Sequence, residues 1–421
     1  MNPKNGWIVA VCREPYRIFF PIGVLIGIFG AGHWLVYGLG WAEAYSGIWH
    51  SRLQMQGYMG SVIVGFLLTA LPRFSGKPHA SPIELIVFLA AMGGVFGFRL
   101  ANRPAPADLS FAVLLCAFAV FMVRRLFMPS RSSNPVSPPV GFIWVPIAGA
   151  FGLLGSFLLY APRFLPISAS WANTGRGMLE QGFIFSIVVG VGGFLAPRLM
   201  GRSEVVQRAD VGKPHVAVLR RKRQIRIAFA GGGVLLLSFL LEGVLGTSIA
   251  YSVRALLVTF FFYQNRAWPF PPKIQDDPIR LLWFSIWFMV IGYWMIALVP
   301  DLRKAALHLV FLGGYSLMTF AVATVVVLSH SGKPEVLRKP IRALRVVGVG
   351  MIAAVFLRLA AVFFPASYFQ WLAGAAGLWI LCAFVWLVFA GPWLVMVPNA
   401  DAFEKGHEEA KSRIPPFSRT L

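Results

Sequence analysis

Four of the seven histidines in this 421-residue chain lie in or beside long apolar segments, where an imidazole could bind a metal ion. They are His33, His50, His308 and His330. Polar side chains inside a bilayer are costly, so those that are present usually have a task. Two imidazoles from facing helices can serve as axial ligands of a haem iron or bind copper. The other three histidines fall in predicted loops or in the C-terminal tail, where exposure to water explains them.

The elements that carry these histidines are predicted to be membrane spans. The chain is 57% hydrophobic and only 13% charged, far from the quarter or so of charged residues in a soluble domain. A bilayer core needs about 20 mostly apolar residues per helix. We therefore predict an all-α integral membrane protein, one polytopic domain over residues 1–421 with a transmembrane core at about 18–397. Its roughly twelve spans are placed at 18–39, 48–71, 82–100, 107–123, 141–160, 177–197, 227–246, 248–265, 281–299, 304–329, 346–364 and 369–397.

The basic residues predict the orientation of the spans. The net charge is +22, and 29 of the 38 Lys and Arg residues fall on one side when the loops alternate. Because cytoplasmic loops collect Lys and Arg, that side is predicted to be cytoplasmic, together with both termini and the 398–421 tail. The run Arg220–Arg223 is interpreted as a topogenic stop facing anionic lipid, and no nucleic-acid partner is expected.

This topology separates the four histidines. His33, His50 and His308 share one layer near the outer surface, whereas His330 closes the tenth span on the inner side. His308 and His330 are 22 residues apart, or about 33 Å of helix, so they cannot share a metal ion. We predict that His50 and His308 ligate one haem iron, with His33 as the reserve ligand. Each of these histidines could instead be a simple interfacial or hydrogen-bonded residue.

Neighbouring residues favour an interior position for the ligand candidates. His50 shares a helical stripe of small and polar residues with Gln54, Gly57 and Ser61, which should face other helices and not lipid. Arg52 lies two residues from His50 and could hold a haem propionate, although contact with solvent or a lipid phosphate is an alternative.

An internal repeat relates three of the spans. The segment QGYMGSVIVGFLLTALPRFSG (56–76) matches QGFIFSIVVGVGGFLAPRLMG (181–201) at an offset of 125 residues without gaps, and SGKP (75–78) recurs at 331–334. Related spans are four apart, which favours three four-helix units over two six-helix halves. Convergence on glycine-rich helix packing is the alternative explanation.

Two of these segments resemble the signature of the NnrS family. They are WHSRLQMQGYMGSVIVGFLLTALPRFSGKP (49–78) and HLVFLGGYSLMTFAVATVVVLSHSGKP (308–334), and the resemblance extends from about Glu14 to Pro398. It implies a multi-pass protein of the bacterial inner membrane that contains haem, here haem b, and copper, and that is linked to nitric oxide and nitrosative stress. The family motif carries onto His50, His308 and His330. The sequence departs from it at Arg52, where many members have a second histidine.

The resemblance leaves the precise activity open. Nitric oxide could be a substrate, a ligand or a remote signal, and enzymatic activity is not decided by the sequence. Related electron transfer belongs to the same interpretation. Twelve helices in three units are also similar in architecture to the catalytic subunit of haem–copper oxidases, but the second-metal histidine cluster of those enzymes is missing. A secondary transporter or exporter of a small molecule, and a non-catalytic assembly subunit of a membrane complex, are the competing interpretations.

Several other functional classes find no support in the sequence. Cys12, Cys116 and Cys382 are isolated, so neither a disulfide framework nor a thiolate zinc site is expected. Nucleotide-binding, serine-hydrolase and zinc-protease motifs do not occur. The first twenty residues lack the order of regions found in a cleaved signal peptide.

Overall fold

A computed structural model describes residues 3–128, 139–202 and 214–396. Within these ranges the chain is helical and contains no strand. We number the principal helices α1 (Pro3–Arg13), α2 (Tyr16–Gly38), α3 (Gly47–Ser75), α4 (Pro82–Leu100), α5 (Pro104–Phe127), α6 (Val140–Arg163), α7 (Ser170–Leu199), α8 (Pro214–Leu240), α9 (Thr247–Gln264), α10 (Asp277–Leu298), α11 (Pro300–His330), α12 (Arg342–Phe363) and α13 (Pro365–Val395). The all-α membrane fold class predicted from the sequence is confirmed.

Eleven helices in the described part of the chain, α2 to α8 and α10 to α13, are long and apolar enough to cross a membrane. The twelfth predicted span corresponds to α9, which has 18 residues and contains the buried Arg254. The guanidinium of Arg254 and the polar residues at both ends lower the mean hydropathy of this helix. The helix was predicted correctly, and its status as a span stays a prediction.

One predicted boundary differs clearly from the structure, the start of α8. Helix α8 begins at Pro214, so the basic run Arg220–Arg223 lies within its first turns and not in a loop. Lys and Arg are good helix formers, which explains why the helix continues through the charged run. The predicted tail 398–421 lies outside the described residues.

The chain divides into two compact units. Unit 1 comprises Met1–His33 and Ala44–Ile187, and unit 2 comprises Trp34–Glu43 and Val188–Leu421. His33, His50 and Arg52 therefore belong to unit 1, whereas His308 belongs to unit 2. The single polytopic domain over 1–421 stays a prediction.

The three repeat-related helices α3, α7 and α11 share an unusual backbone. Each contains a π-helical segment, at Leu53–Met59, Met178–Gly182 and Leu309–Ser316 respectively. The first and second begin 125 residues apart, and the first and third begin 256 residues apart, the same offsets that relate the repeated sequences. Among the described helices π turns occur only in these three. Because π turns are rare, their common register supports a true repeat of this helix.

The repeated helices also end alike. Gly76, Gly201 and Gly332 follow their last turns with φ values of 64°, 70° and 74°. This left-handed conformation is favourable for glycine and is the usual way to stop a helix. These three glycines are related by the same offsets of 125 and 256 residues.

The helix before each repeated helix packs on an equivalent glycine. A Cβ atom built on Gly57 would lie 2.4 Å from Cγ2 of Ile26, and one built on Gly182 would lie 2.6 Å from Cδ1 of Phe151. Ile26 and Phe151 are themselves 125 residues apart. In the third helix a Cβ atom on Gly313 would lie 2.6 Å from Cγ of Phe288. The pairs α2–α3, α6–α7 and α10–α11 thus share one contact, while the grouping of all twelve helices into three fourfold units stays a prediction.

Candidate functional site

The His50 side chain is fixed by the helix that precedes its own. Nδ1 of His50 lies 2.8 Å from the carbonyl oxygen of Gly30 on α2, and Nε2 of Gln54, one turn along, donates to the carbonyl of Gly27 at 2.8 Å. A carbonyl oxygen can only accept, so Nδ1 of His50 carries the proton. The lone pair of the neutral ring is therefore on Nε2. Gly30 allows α3 to approach α2 closely enough for these bonds, since a Cβ atom on Gly30 would lie 2.9 Å from Nε2 of Gln54.

His308 adopts the same tautomer in unit 2. Its Nδ1 lies 2.7 Å from the carbonyl oxygen of Lys304, one turn earlier in α11, and its ring packs edge-on to Phe311 at 6.3 Å between centroids. The ring is half-buried. His308 directly precedes the π segment Leu309–Ser316, at the repeat position that Arg52 occupies in α3.

His33 has a different environment from the other two. Its Nε2 accepts the backbone N–H of Ser46 at 2.6 Å, and its ring lies 5.3 Å from that of Trp49. Ser46 is the N-cap of α3, since its hydroxyl accepts the N–H of Trp49 at 3.2 Å. His33 thus helps to hold the start of the helix that carries His50. This contact uses the Nε2 lone pair, and the role of His33 as a reserve ligand stays a prediction.

Arg52 is almost completely buried, with 2% of its surface exposed. Its Nη1 atom has no hydrogen-bond partner, and no carboxylate in the described part of the chain forms an ion pair with it. The proposed binding of a haem propionate by Arg52 stays a prediction. The structure does show that the residue is not on the surface.

Two further buried arginines, Arg254 and Arg358, differ in their partners. Arg254 bonds Glu242 at 2.6 Å and the carbonyl of Ser238 at 2.8 Å, and it packs on the ring of Phe239 at 3.8 Å. Arg358 lies over the ring of Tyr368 at 5.8 Å. Arg254 thus has a counter-ion, whereas Arg358 forms no ion pair among the described residues and its Nη1 has no hydrogen-bond partner.

The side chains that are available as metal ligands limit the kind of metal site that the protein could form. Within residues 3–128, 139–202 and 214–396, no three His, Cys, Asp or Glu side chains cluster as they would around a metal ion. The three cysteines are free thiols. Single imidazoles such as His50 and His308 are suited to axial ligation of a haem, whose porphyrin supplies the other four ligands.

Sequence reasoning missed a polar network in unit 1. Arg99 at the end of α4 bonds Asp108 of α5 at 2.7 Å, and the hydroxyl of Tyr160 at the end of α6 donates to the same carboxylate at 2.5 Å. Gln56 accepts from Arg99 at 3.4 Å. The only sign of this network in the sequence was that Arg99 ends one apolar segment and Asp108 begins the next. Charged residues exposed at the ends of membrane spans follow the same pattern, so the sequence did not distinguish the two cases.

Comparison with known proteins places the chain in a family. The model of the family described as NnrS protein matches residues 10–397, which include both histidine-bearing segments, 49–78 and 308–334. A search of the curated proteins found no match. Because the family model covers most of the sequence, the chain belongs to the NnrS family.

Proposed function

We propose that this chain is a haem-binding protein of the bacterial inner membrane that acts in the response to nitric oxide and nitrosative stress, or in related electron transfer. His50 and His308 are the proposed axial ligands. The observation that carries the proposal is their common tautomer: in each ring Nδ1–H donates to a backbone carbonyl, which puts the lone pair on Nε2. Metal-binding histidines in proteins are characteristically oriented in this way.

The residues of the chain define what the protein would contribute. A haem held by His50 and His308 would supply reversible one-electron chemistry at iron. The carbonyls of Gly30 and Lys304 orient the two imidazoles and strengthen them as donors. The Arg52 guanidinium is proposed to bind a carboxylate of the same cofactor, because a buried arginine without a counter-ion favours an anion.

Absorbance of the purified protein tests the proposal. Protein purified in detergent from haem-replete cells should show a Soret band, and pyridine extraction should release haem b in a fixed ratio to the chain. Metal analysis of the same sample separates haem iron from copper bound by the same histidines. A colourless protein that takes up no added haem would overturn the proposal and favour a transporter or an assembly subunit.

Membrane topology is a separate proposal, based on the 29 basic residues that fall on one side. A cysteine replacing the exposed His215 should react with an impermeant maleimide only after the inner membrane is opened. A cysteine replacing the exposed Ala101, between α4 and α5, should react in intact spheroplasts. The background for both is a variant in which the three native cysteines are changed to serine. The opposite pattern of labelling would reverse the proposed orientation.

A further inference from the structure

Three buried hydrogen-bond donors without an acceptor lie close together in unit 1. They are Nη1 of Arg52, Nε2 of Gln56 and Nε of Arg99. Their side chains are between 1% and 4% exposed. Buried donors nearly always find a partner, because an unmade hydrogen bond leaves the full cost of desolvation uncompensated. Three such donors in one neighbourhood indicate a missing acceptor.

The three donors belong to one connected set of side chains. Arg52 and Gln56 are four residues apart on α3 and so lie on one face of that helix. Gln56 is bonded to Arg99 at 3.4 Å, and Arg99 is bonded to Asp108. Tyr160 donates to the same carboxylate of Asp108, so Arg52 is linked to the network through its neighbour Gln56.

The charges of this network do not cancel. Arg52 and Arg99 contribute two positive charges, and Asp108 contributes one negative charge. Both oxygens of Asp108 are already engaged, Oδ1 by Arg99 and Oδ2 by Tyr160. No carboxylate among the described residues forms an ion pair with Arg52. A buried net charge of this kind is strongly unfavourable unless an opposite charge joins it.

We infer that Arg52, Gln56 and Arg99 form a binding site for a small planar monoanion of the carboxylate or nitrite class. Guanidinium groups match planar oxyanions in shape and in the direction of their N–H bonds. One negative charge would neutralise the network, and two or three oxygens would accept the three free donors. The anion could come from two sources. If it is a carboxylate of a bound haem, the inference rests on the proposed function. In the other case the anion is free in solution.

Calorimetric titration of the purified full-length chain with sodium formate and sodium nitrite, at constant ionic strength, tests the site. The haem-free protein should bind one anion per chain with saturation. Arg52→Gln should weaken this binding by about tenfold or more, the usual effect of losing a charged hydrogen-bond partner. Arg103→Gln is the matched control, because Arg103 is an exposed arginine next to α5 and should leave the affinity unchanged. No saturable binding, or equal losses in both variants, would overturn the site.

A second variant covers the case in which Arg52→Gln does not fold. Gln56→Glu is nearly isosteric and places a carboxylate between the two arginines. It should abolish formate binding and raise the melting temperature, since it supplies the missing charge internally. A lower melting temperature with intact formate binding would contradict the inference.

Haem-loaded protein distinguishes the two sources of the anion. If the occupant is a haem carboxylate, loaded protein should no longer bind formate, and Arg52→Gln should release haem more readily. If the occupant is a free anion, loaded protein should still bind formate and Arg52→Gln should leave the haem spectrum unchanged. Because the titration of haem-free protein needs no haem, failure of the proposed haem function would leave this test intact.

Discussion

Replacing either His50 or His308 with alanine is expected to abolish or shift the haem absorbance bands, whereas His330→Ala should leave them intact. Loss of the imidazole removes a proposed ligand bond and the side-chain hydrogen bond to the carbonyl of Gly30 or Lys304. His330 lies at the far end of α11, about 33 Å along the helix from His308. It therefore serves as a matched control on the same helix.

The measurement is the optical spectrum of each variant together with the haem content per chain. We expect the alanine variants at positions 50 and 308 to lose most of their haem, or to convert from a six-coordinate to a five-coordinate spectrum. His33→Ala should act differently. It removes the acceptor of the Ser46 N–H and so weakens the start of α3, an effect of the size of a lost helix cap, about 0.5–2 kcal/mol.

Three results would change the assignment of the ligands. Normal spectra in the variants at positions 50 and 308 would remove both residues from the site. An altered spectrum in His330→Ala would move the haem to the opposite end of α11. Complete loss of haem in His33→Ala, with a normal melting temperature, would indicate that His33 is itself a haem ligand.

Hydropathy was sufficient to locate the helices, because each span must bury about 20 apolar residues in lipid. Every predicted span corresponds to a helix in the structure, including α9, which is the least apolar. The repeat could also be predicted from the sequence, because the repeated segments share residues at the same positions. Its backbone could not be predicted: nothing in the hydropathy of α3, α7 or α11 marks a π segment, because one extra residue per turn does not change composition.

The candidate site was predictable only in part. Spacing placed His50 and His308 at the beginnings of their spans, but it could not assign a tautomer, which depends on the carbonyls of Gly30 and Lys304. The acceptor role of His33 toward the Ser46 N–H depends on how a loop folds back on α2. The burial of Arg52 depends on how α3 to α6 pack together. Such features arise from tertiary contacts that a single sequence does not record.

Adding one methyl group at Gly57, Gly182 or Gly313 is expected to destabilise the protein by about 1–3 kcal/mol at each site, the usual cost of overpacking. The new Cβ would lie 2.4 Å from Ile26 Cγ2, 2.6 Å from Phe151 Cδ1 and 2.6 Å from Phe288 Cγ, respectively. Real Cβ atoms do not approach this closely, and neither a β-branched methyl group nor an aromatic ring can move aside easily in a packed helix pair. Thermal unfolding in detergent, followed by tryptophan fluorescence, measures the effect.

Gly149→Ala and Gly97→Ala are the matched controls. Both glycines lie inside helices of unit 1, α6 and α4, and a Cβ on either would meet no atom within 4 Å. Alanine is the better helix former by about 1 kcal/mol, so these variants should be neutral or slightly stabilised. A loss of stability in the controls equal to that at Gly57 would mean that the cost lies in the backbone and not in the contact with α2.

Double-mutant cycles show whether the three contacts are one repeated device. Combining Gly57→Ala with Ile26→Ala should cost less than the sum of the single changes, because the smaller residue at 26 makes room for the new methyl group. The same reasoning applies to Gly182→Ala with Phe151→Leu and to Gly313→Ala with Phe288→Leu. If the three pairs descend from one repeated helix pair, all three coupling energies should be stabilising and about 1 kcal/mol or more. Coupling at Gly57 and Gly182 but none at Gly313 would limit the repeat to the first two helix pairs, whose contacts share the 125-residue offset on both sides.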